Sequence, residues 1–222
     1  MPVCISCGSS VDSLTRSYGK GNVQLIKCGV CNNFADKYIE NEFIIIFLDM
    51  LLQKPAVYRH LLLNQSLSRD RLVSFSVRLF VLLILFEVYT RWYMLRLDSF
   101  LVQYLYLLTL CFVEFSIYHI ALRFIIYFKY RSKALDDITC AIVISSFGKL
   151  LLLCLSIWDY DDLTHTWLLS LVILMTNSVA LSVMLKTSRF EAILILIAGI
   201  GVKAIVQFGF KLLDSRLELL LV

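Results

Sequence analysis

Residues 72–90 read LVSFSVRLFVLLILFEVYT, an apolar run whose charges are confined to Arg78 and Glu87. A hydrocarbon core about 30 Å thick is crossed by roughly 20 such residues in a helix, so this stretch predicts a membrane span. Outward from it, further apolar runs predict spans at 100–127, 138–158, 166–185 and 190–213. Composition agrees: of 222 residues 59% are hydrophobic and 17% charged, with a mean hydropathy of +0.80. Soluble domains carry about 25% charged residues. A soluble globular domain, a disordered chain and a collagen-like or low-complexity chain are therefore excluded. The expected fold is an all-α polytopic membrane bundle of about five spans within residues 72–222. The second run, interrupted by Glu114, His119 and Arg123, also admits another count.

Basic residues set the expected orientation. Lys54, Arg59, Arg69 and Arg71 precede the first span, Lys129, Arg131 and Lys133 follow the second, and Lys186 and Arg189 follow the fourth. By the positive-inside rule these segments and the amino terminus are cytosolic, and an odd number of spans puts the carboxyl terminus in the lumen. The opposite side receives Arg91, Arg96, Asp98 and the acidic loop at 159–162. A net charge of +4 gives little reason to expect a nucleic-acid partner, and none is expected. The chain opens on polar, cysteine-containing sequence instead of a secretory signal, which places the first residues in a reducing compartment.

Those first residues carry Cys4-x2-Cys7 and Cys28-x2-Cys31, the spacing of a four-cysteine zinc ribbon with β-hairpin knuckles, assigned to residues 1–35. Four thiolates converge tetrahedrally at about 2.3 Å from such a metal. Gly8 and Gly29 suit knuckle backbones that need positive φ or close approach. The turn Gly19-Lys20-Gly21-Asn22 and the alternation from Val23 to Lys27 predict a strand. A module below about 40 residues rarely folds without a metal or disulfides. A Zn2+ with four protein ligands has no open position, so its expected role is structural. Paired redox CxxC motifs are the competing reading, which lacks the βαβ setting such a site uses. Cys111, Cys140 and Cys154 read as small apolar residues in spans.

Residues 36–71 form the expected connection. Residues 38–53 are apolar, but Glu40, Glu42 and Asp49 interrupt them and they are too short to cross, which predicts an interfacial amphipathic helix. A basic juxtamembrane segment comes next, in which Pro55 predicts a helix start or break. Tyr58, Arg59, His60 and Asn64 are candidates for recognising a lipid phosphate or a partner, since a guanidinium offers a planar fork to phosphate. Plain anchoring by basic and aromatic residues is the alternative. Lys149, beside Ser145, Ser146 and Gly148 in the third run, needs a partner within the membrane. Glu87, Glu114, His119 and Asn177 are available, and a Lys–Glu pair is the simplest neutralisation. Lys149 and Asn177 complete the candidate lipid-contacting set. Gly199 and Gly201 are candidates for close helix packing. HExxH, P-loop and acyltransferase-like His–Asp signatures are missing from the sequence, so no enzymatic activity and no catalytic residue is expected. The acidic loop at 159–162 is the only feature that a lipid transferase could use to hold a metal-bound donor.

The four cysteines together with DKYIENE at 36–42 and QKPAVYRHLLLN at 53–64 resemble the Arv family of endoplasmic-reticulum lipid-homeostasis proteins. EVYTRWY at 87–93, SSFGKLLLLCLSIWD at 145–159 and, more loosely, LMTNSVAL at 174–181 continue the likeness. The resemblance implies an endoplasmic-reticulum membrane protein without enzymatic activity. It implies support of sterol and sphingolipid distribution and of glycosylphosphatidylinositol (GPI) anchor assembly. The implied partners are membrane lipids (sterol, sphingolipid or a GPI precursor) or a membrane enzyme complex that uses them, of which this chain is then an adaptor or a structural subunit.

Overall fold

A computed structural model describes residues 1–19, 23–65, 69–95, 100–131, 135–150 and 163–213. The amino-terminal module is built from two knuckles with matching backbone bonds. In the first, Cys4 N donates to Ser9 O at 2.8 Å and Gly8 N to Cys4 O at 2.8 Å; in the second, Cys28 N donates to Asn33 O at 2.8 Å and Asn32 N to Cys28 O at 2.9 Å. Isolated bridges Val3–Ser10 and Lys27–Phe34 close the two loops. Between them β1 (Thr15–Ser17) and β2 (Val23–Leu25) pair antiparallel with Arg16 opposite Gln24, which supplies the expected strand. Gly8 has the expected positive φ of 79°. At the second knuckle the left-handed position falls one residue after Cys31, on Asn32 at φ 57°, and not on Gly29. Asparagine tolerates that region through its short polar side chain, so the chain needs no glycine there.

A short 3-10 turn at Lys37–Ile39 leads into α1 (Phe43–Leu51). At 1.5 Å per residue α1 is about 14 Å long, half a bilayer core. Ile46, Asp49 and Met50 face inward, while Phe43, Ile44, Leu48 and Leu52 are exposed. The inward face packs into the core through Ile46 and Met50, with Asp49 as its one buried charge, and the outward face is apolar. Helix α2 (Pro55–Arg59) starts with Pro55 in its first turn, where the missing N–H is no loss. It runs into a π-helical turn, His60–Asn64, closed by Gln65 N donating to His60 O at 2.6 Å.

The bundle contains α3 (Arg69–Leu95), α4 (Phe100–Tyr130), α5 (Leu135–Ser145), a 3-10 turn at Ser146–Leu150, α6 (Leu163–Leu185) and α7 (Arg189–Leu213). Phe80 against Phe115 runs α3 antiparallel to α4; Tyr130 against Glu191, with Gln207 against Glu114, does the same for α4 and α7. Ile84, Val88, Leu107 and Leu110 fill the α3–α4 seam. Leu122, Ile138, Leu181 and Leu196 join α4, α5, α6 and α7. A third core joins the module to the bundle: Ile5, Tyr38, Ile46, Val57 and Tyr58 pack with Phe147, Val179 and Val183.

Among the described residues three helices are long and apolar enough to cross a membrane: Leu72–Trp92, Gln103–Tyr130 and Arg189–Gly209. The expectation of about five is therefore met for the first, second and fifth runs only. The third run is helical to Ser145, tightens to a 3-10 turn ending at Leu150 and then leaves the described residues. The fourth holds a shorter apolar stretch, Ser170–Leu185. Polar Ser145, Ser146 and Lys149 in the one and Asn177 in the other are engaged with other helices instead of facing lipid. Helix α4 is one unbroken element, which settles the reading of the second run.

Of the two glycines expected to pack closely, only Gly199 is at a close approach. A Cβ there falls 2.7 Å from Leu122 Cδ2 and 3.1 Å from its Cγ, whereas a Cβ on Gly201 meets nothing within 4 Å. Leu122 is 1% exposed and has little room to move. Gly199→Val is expected to cost about 1–3 kcal/mol through overpacking, read as a lowered melting temperature in detergent, with Gly201→Val near neutral.

Candidate functional site

The four cysteines expected to bind metal lie together, their Sγ atoms all within 4.8 Å of one another. Cys4 and Cys31 are 3.7 Å apart at sulfur, as are Cys7 and Cys28. A tetrahedron of thiolates about 2.3 Å from a central ion has edges of roughly 3.8 Å, so the donor set fits one metal ion. Disulfides need sulfurs about 2.05 Å apart, and all four thiols are free. Ser9 enters the site unforeseen by the spacing: its hydroxyl lies 2.8 Å from Cys7 Sγ and 3.4 Å from Cys28 Sγ. That contact, with the backbone amides of Cys31 and Val30, holds the Cys28 thiol down at about 6. At Cys31 the Asn33 amide acts in the same sense, but desolvation and the neighbouring sulfurs outweigh it and push the thiol up to about 11. Thiols so close cannot all ionise unless a cation sits among them. A metal held by four protein thiolates has a closed shell, so what it supplies here is structure, ordering a module too small to have its own core.

The residues proposed from sequence for lipid or partner recognition are all placed, and four of them fasten this module to the helices. Asn64 is 6% exposed. Its Oδ1 accepts from Val3 N at 2.7 Å, and its Nδ2 donates to Val3 O at 2.7 Å and to Asp36 Oδ2 at 2.8 Å. His60 Nδ1 lies 2.8 Å from the same Asp36 oxygen, while Asp36 Oδ1 accepts from Tyr38 N at 3.0 Å. Arg59 donates through Nη1 to Ile5 O and Ser6 O at 2.7 and 3.0 Å. Its guanidinium lies against the first knuckle, where a Cβ on Gly8 would come within 3.6 Å of Nε. Tyr58 is 1% exposed and donates to Met50 O at 3.2 Å. The Tyr58 hydroxyl, Arg59 Nη1, His60 Nδ1 and the Asn64 amide are thus engaged with backbone and carboxylate within the chain. Burial also pushes the Tyr58 phenol above its ordinary range.

Asp36 and Asp49 carry no signal of their own in the sequence, although Asp36 opens the DKYIENE stretch. Tyr38 Oη donates to Asp49 Oδ2 at 2.7 Å and Lys54 Nζ to Asp49 Oδ1 at 2.6 Å. Desolvation works to raise the Asp49 carboxyl, but these two donors outweigh it and hold it below the usual carboxylate range. Desolvation and the same carboxylate push the Tyr38 phenol up.

Lys149 and Asn177 lie in the bundle. The hydroxyls of Ser145 and Ser146 converge on Asn177 Oδ1 at 2.5 and 3.2 Å. Lys149 Nζ meets Glu87 Oε2 at 2.9 Å, the Lys–Glu pairing expected from sequence. The pair belongs to a larger cluster. Arg91 bridges Glu87 Oε1 at 2.9 Å and Glu114 Oε2 at 2.8 Å, and Lys203 lies 3.6 Å from Glu87 and 3.4 Å from Glu114. Gln207 Nε2 adds a bond to Glu114 at 2.9 Å. Arg91 and Gln207 are not legible as members of the cluster because each sits near the end of an apolar run, where polar residues are ordinary.

Two variants separate the metal from its mounting. Cys28→Ser is expected to abolish metal binding, read by elemental analysis of the purified chain, and to lower its steady-state abundance. Asn64→Leu keeps the cysteines but orphans both polar groups of Val3, at about 2–4 kcal/mol. Metal content should then be unchanged while amide exchange at residues 3–11 speeds up, and unchanged exchange would contradict the mounting.

The Arv1-like family model matches residues 3–181, which takes in the cysteine module, its mounting on α2 and the bundle as far as α6. Protein arv1 homolog of Dictyostelium discoideum is 32% identical, over 98% of this chain and 98% of its own length. Protein arv1 of Schizosaccharomyces pombe is 35% identical over 93% of this chain and 84% of its own, and Protein ARV1 of Homo sapiens is 26% identical over 95% and 82%. No solved structure matches the chain. With a family model covering most of the sequence and near full-length relatives above 30% identity, the chain belongs to the Arv1-like family.

Proposed function

We propose that this chain is a non-enzymatic membrane protein of the endoplasmic reticulum. It supports intracellular sterol and sphingolipid transport and homeostasis, and the biosynthesis of GPI anchors, by handling lipid within its helical bundle. The amino-terminal module, cytosolic by the distribution of basic residues, holds a structural Zn2+ and serves as a platform at the membrane face. The observation that carries this reading is the polar cluster of Glu87, Arg91, Glu114, Lys149 and Lys203 inside otherwise apolar helices. Each charge at such depth costs about 2.5–3.5 kcal/mol on insertion scales, and groups of that kind usually meet a substrate or ion in the membrane. The apolar outer face of α1 would keep the platform in the plane of the bilayer beside that cluster.

One observation favours a second reading, an adaptor or structural subunit of an endoplasmic-reticulum glycolipid-synthesis complex. Val30 is 75% and Phe34 49% exposed on the second knuckle, apolar side chains open on the module's surface. A protein partner would cover them.

Native mass spectrometry of full-length protein, extracted in mild detergent with its own membrane lipids, discriminates the two. Lipid handling is expected to give a stoichiometric sterol, sphingolipid or GPI precursor on the chain. Defined protein subunits without retained lipid would establish the adaptor instead.

A further inference from the structure

Among the described residues the charge cluster does not balance. Arg91, Lys149 and Lys203 face two carboxylates, Glu87 and Glu114, and among the described residues no further acidic group lies within ion-pair distance of the three cations. The carboxylates are the saturated partners. Glu114, with a side chain 2% exposed, accepts from both Nη atoms of Arg91 and from Gln207. Glu87 accepts from Arg91 through one oxygen and Lys149 through the other. The lysines are not saturated: an ammonium carries three donors, and Lys149 places one on Glu87 while Lys203 has its two oxygens at 3.4 and 3.6 Å. Their side chains are also the more open ones, at 27% and 26% exposure against 10% for Arg91. Glu114 is therefore sealed inside, while Lys149, Lys203 and Glu87, at 27, 26 and 23% exposure, share the open side, where the two ammonium groups hold unused donors.

Depth is set by helix rise. Glu87 lies roughly 22 Å along its span from Leu72, Glu114 roughly 24 Å from Tyr130 and Lys203 roughly 21 Å from Arg189, at 1.5 Å per residue. Leu72, Tyr130 and Arg189 are all at the bundle end that carries the cysteine module, since α3, α5 and α7 run away from it and α4 and α6 return. The cluster therefore lies well inside the bundle from those helix ends, and Lys149, two residues after Phe147 of the core that α1 shares, holds it beside α1, the interfacial element of the proposed function. An uncompensated cation there needs an anion, and a phosphate oxygen is the hard acceptor that ammonium groups take up.

We propose that Lys149 and Lys203, backed by Arg91, form a binding site for a phosphate-bearing anion, filled in the membrane by the headgroup of a phospholipid. This rests on the lipid-handling reading and names the ligand chemistry of its site. Sterols lack such a group, so the site selects the phosphorylated lipid among the classes considered.

The test uses the full chain reconstituted into phosphatidylcholine vesicles with or without a minor fraction of phosphatidylinositol, then released for native mass spectrometry and thermal melting. Wild type is expected to enrich phosphatidylinositol, and Lys149→Gln with Lys203→Gln to lower that enrichment at least about tenfold, while Lys→Arg at both positions retains it. Lys149→Gln alone leaves two cations on two carboxylates, so its melting temperature in phosphatidylcholine alone should equal or exceed that of wild type. A fall there as large as the loss of binding would make Lys149 merely structural and overturn the proposal. Inorganic phosphate added to the lipid-free detergent complex separates the sources. If it raises the wild-type melting temperature and not that of the double variant, the site takes phosphate itself. If only phosphatidylinositol does so, the acyl chains contribute. Equal retention by wild type and the double variant, with a lipid still bound from native membranes, sinks this site and leaves lipid handling standing. Lysine-dependent binding with no lipid on the native extract would do the reverse.

Discussion

Everything on the membrane face of this protein hangs on one buried carboxylate. Asp36 is 0% exposed, and its two oxygens take the Tyr38 amide, the His60 ring and the Asn64 side chain. A carboxylate out of water is tolerable only when its lone pairs are occupied by good donors. The chain brings them from two places: the 3-10 turn just after it and the π-helical turn that follows α2. Asn64 then passes the connection on to Val3, so the first residues of the module are held by the same network that organises the approach to α3. The π-helical turn is the means. One extra residue in the turn rotates the helix beyond it, and His60 and Asn64 both reach the same Asp36 oxygen. Arg59, one residue earlier, turns instead to the carbonyls of Ile5 and Ser6. A metal-ordered module without a core of its own is thereby given one, shared with Tyr58, Phe147 and Val179.

The bundle solves the opposite problem. Its polar groups lie within otherwise apolar helices, and it gathers them instead of spreading them: three cations and two carboxylates on four separate elements, with Gln207 completing Glu114. In a low dielectric such a cluster fixes how α3, α4, α7 and the turn after α5 are arranged, because separating the helices strands a charge. Ser145, Ser146 and Asn177 do the same at lower stakes between the third and fourth apolar runs.

What could be read from the sequence was local or forced by chemistry. Four cysteines in two pairs have few other uses, and Gly8, next to Cys7, marks its knuckle. Pro55 announces the start of α2. Lys149 required a carboxylate, and Glu87 was a natural partner. The mounting was not legible, because Arg59 meets Ile5 and Asn64 meets Val3 across 54 and 61 residues of sequence, and no periodicity encodes such a pairing. The same side chains, read alone beside a span, look like ligands for phosphate. The second knuckle misled in a smaller way: a glycine inside the cysteine pair drew attention from Asn32, which adopts the left-handed conformation. The count of about five spans is not confirmed among the described residues, because a 3-10 turn follows α5 at Ser146–Leu150 and the third run then leaves them.

That 3-10 turn is where the two halves of the molecule meet. Ser146 donates to Asn177 of α6, Phe147 packs edge-on to Phe47 of α1 at 5.8 Å, and Gly148 sits where a Cβ would lie 3.4 Å from Ile173. Lys149 then reaches Glu87 of α3. With three residues per turn, Ser146 and Lys149 fall on one face and Phe147 on another. Consecutive residues thus belong to the module's core and to the charge cluster, with no flexible joint between them. A 3-10 turn this short cannot shift one of its side chains by a register without carrying the next, so displacement of Lys149 must be felt at Phe147 and hence beneath α1. The module at the membrane face and the cations of the bundle are therefore joined through one short turn, although the chain builds them from different chemistry.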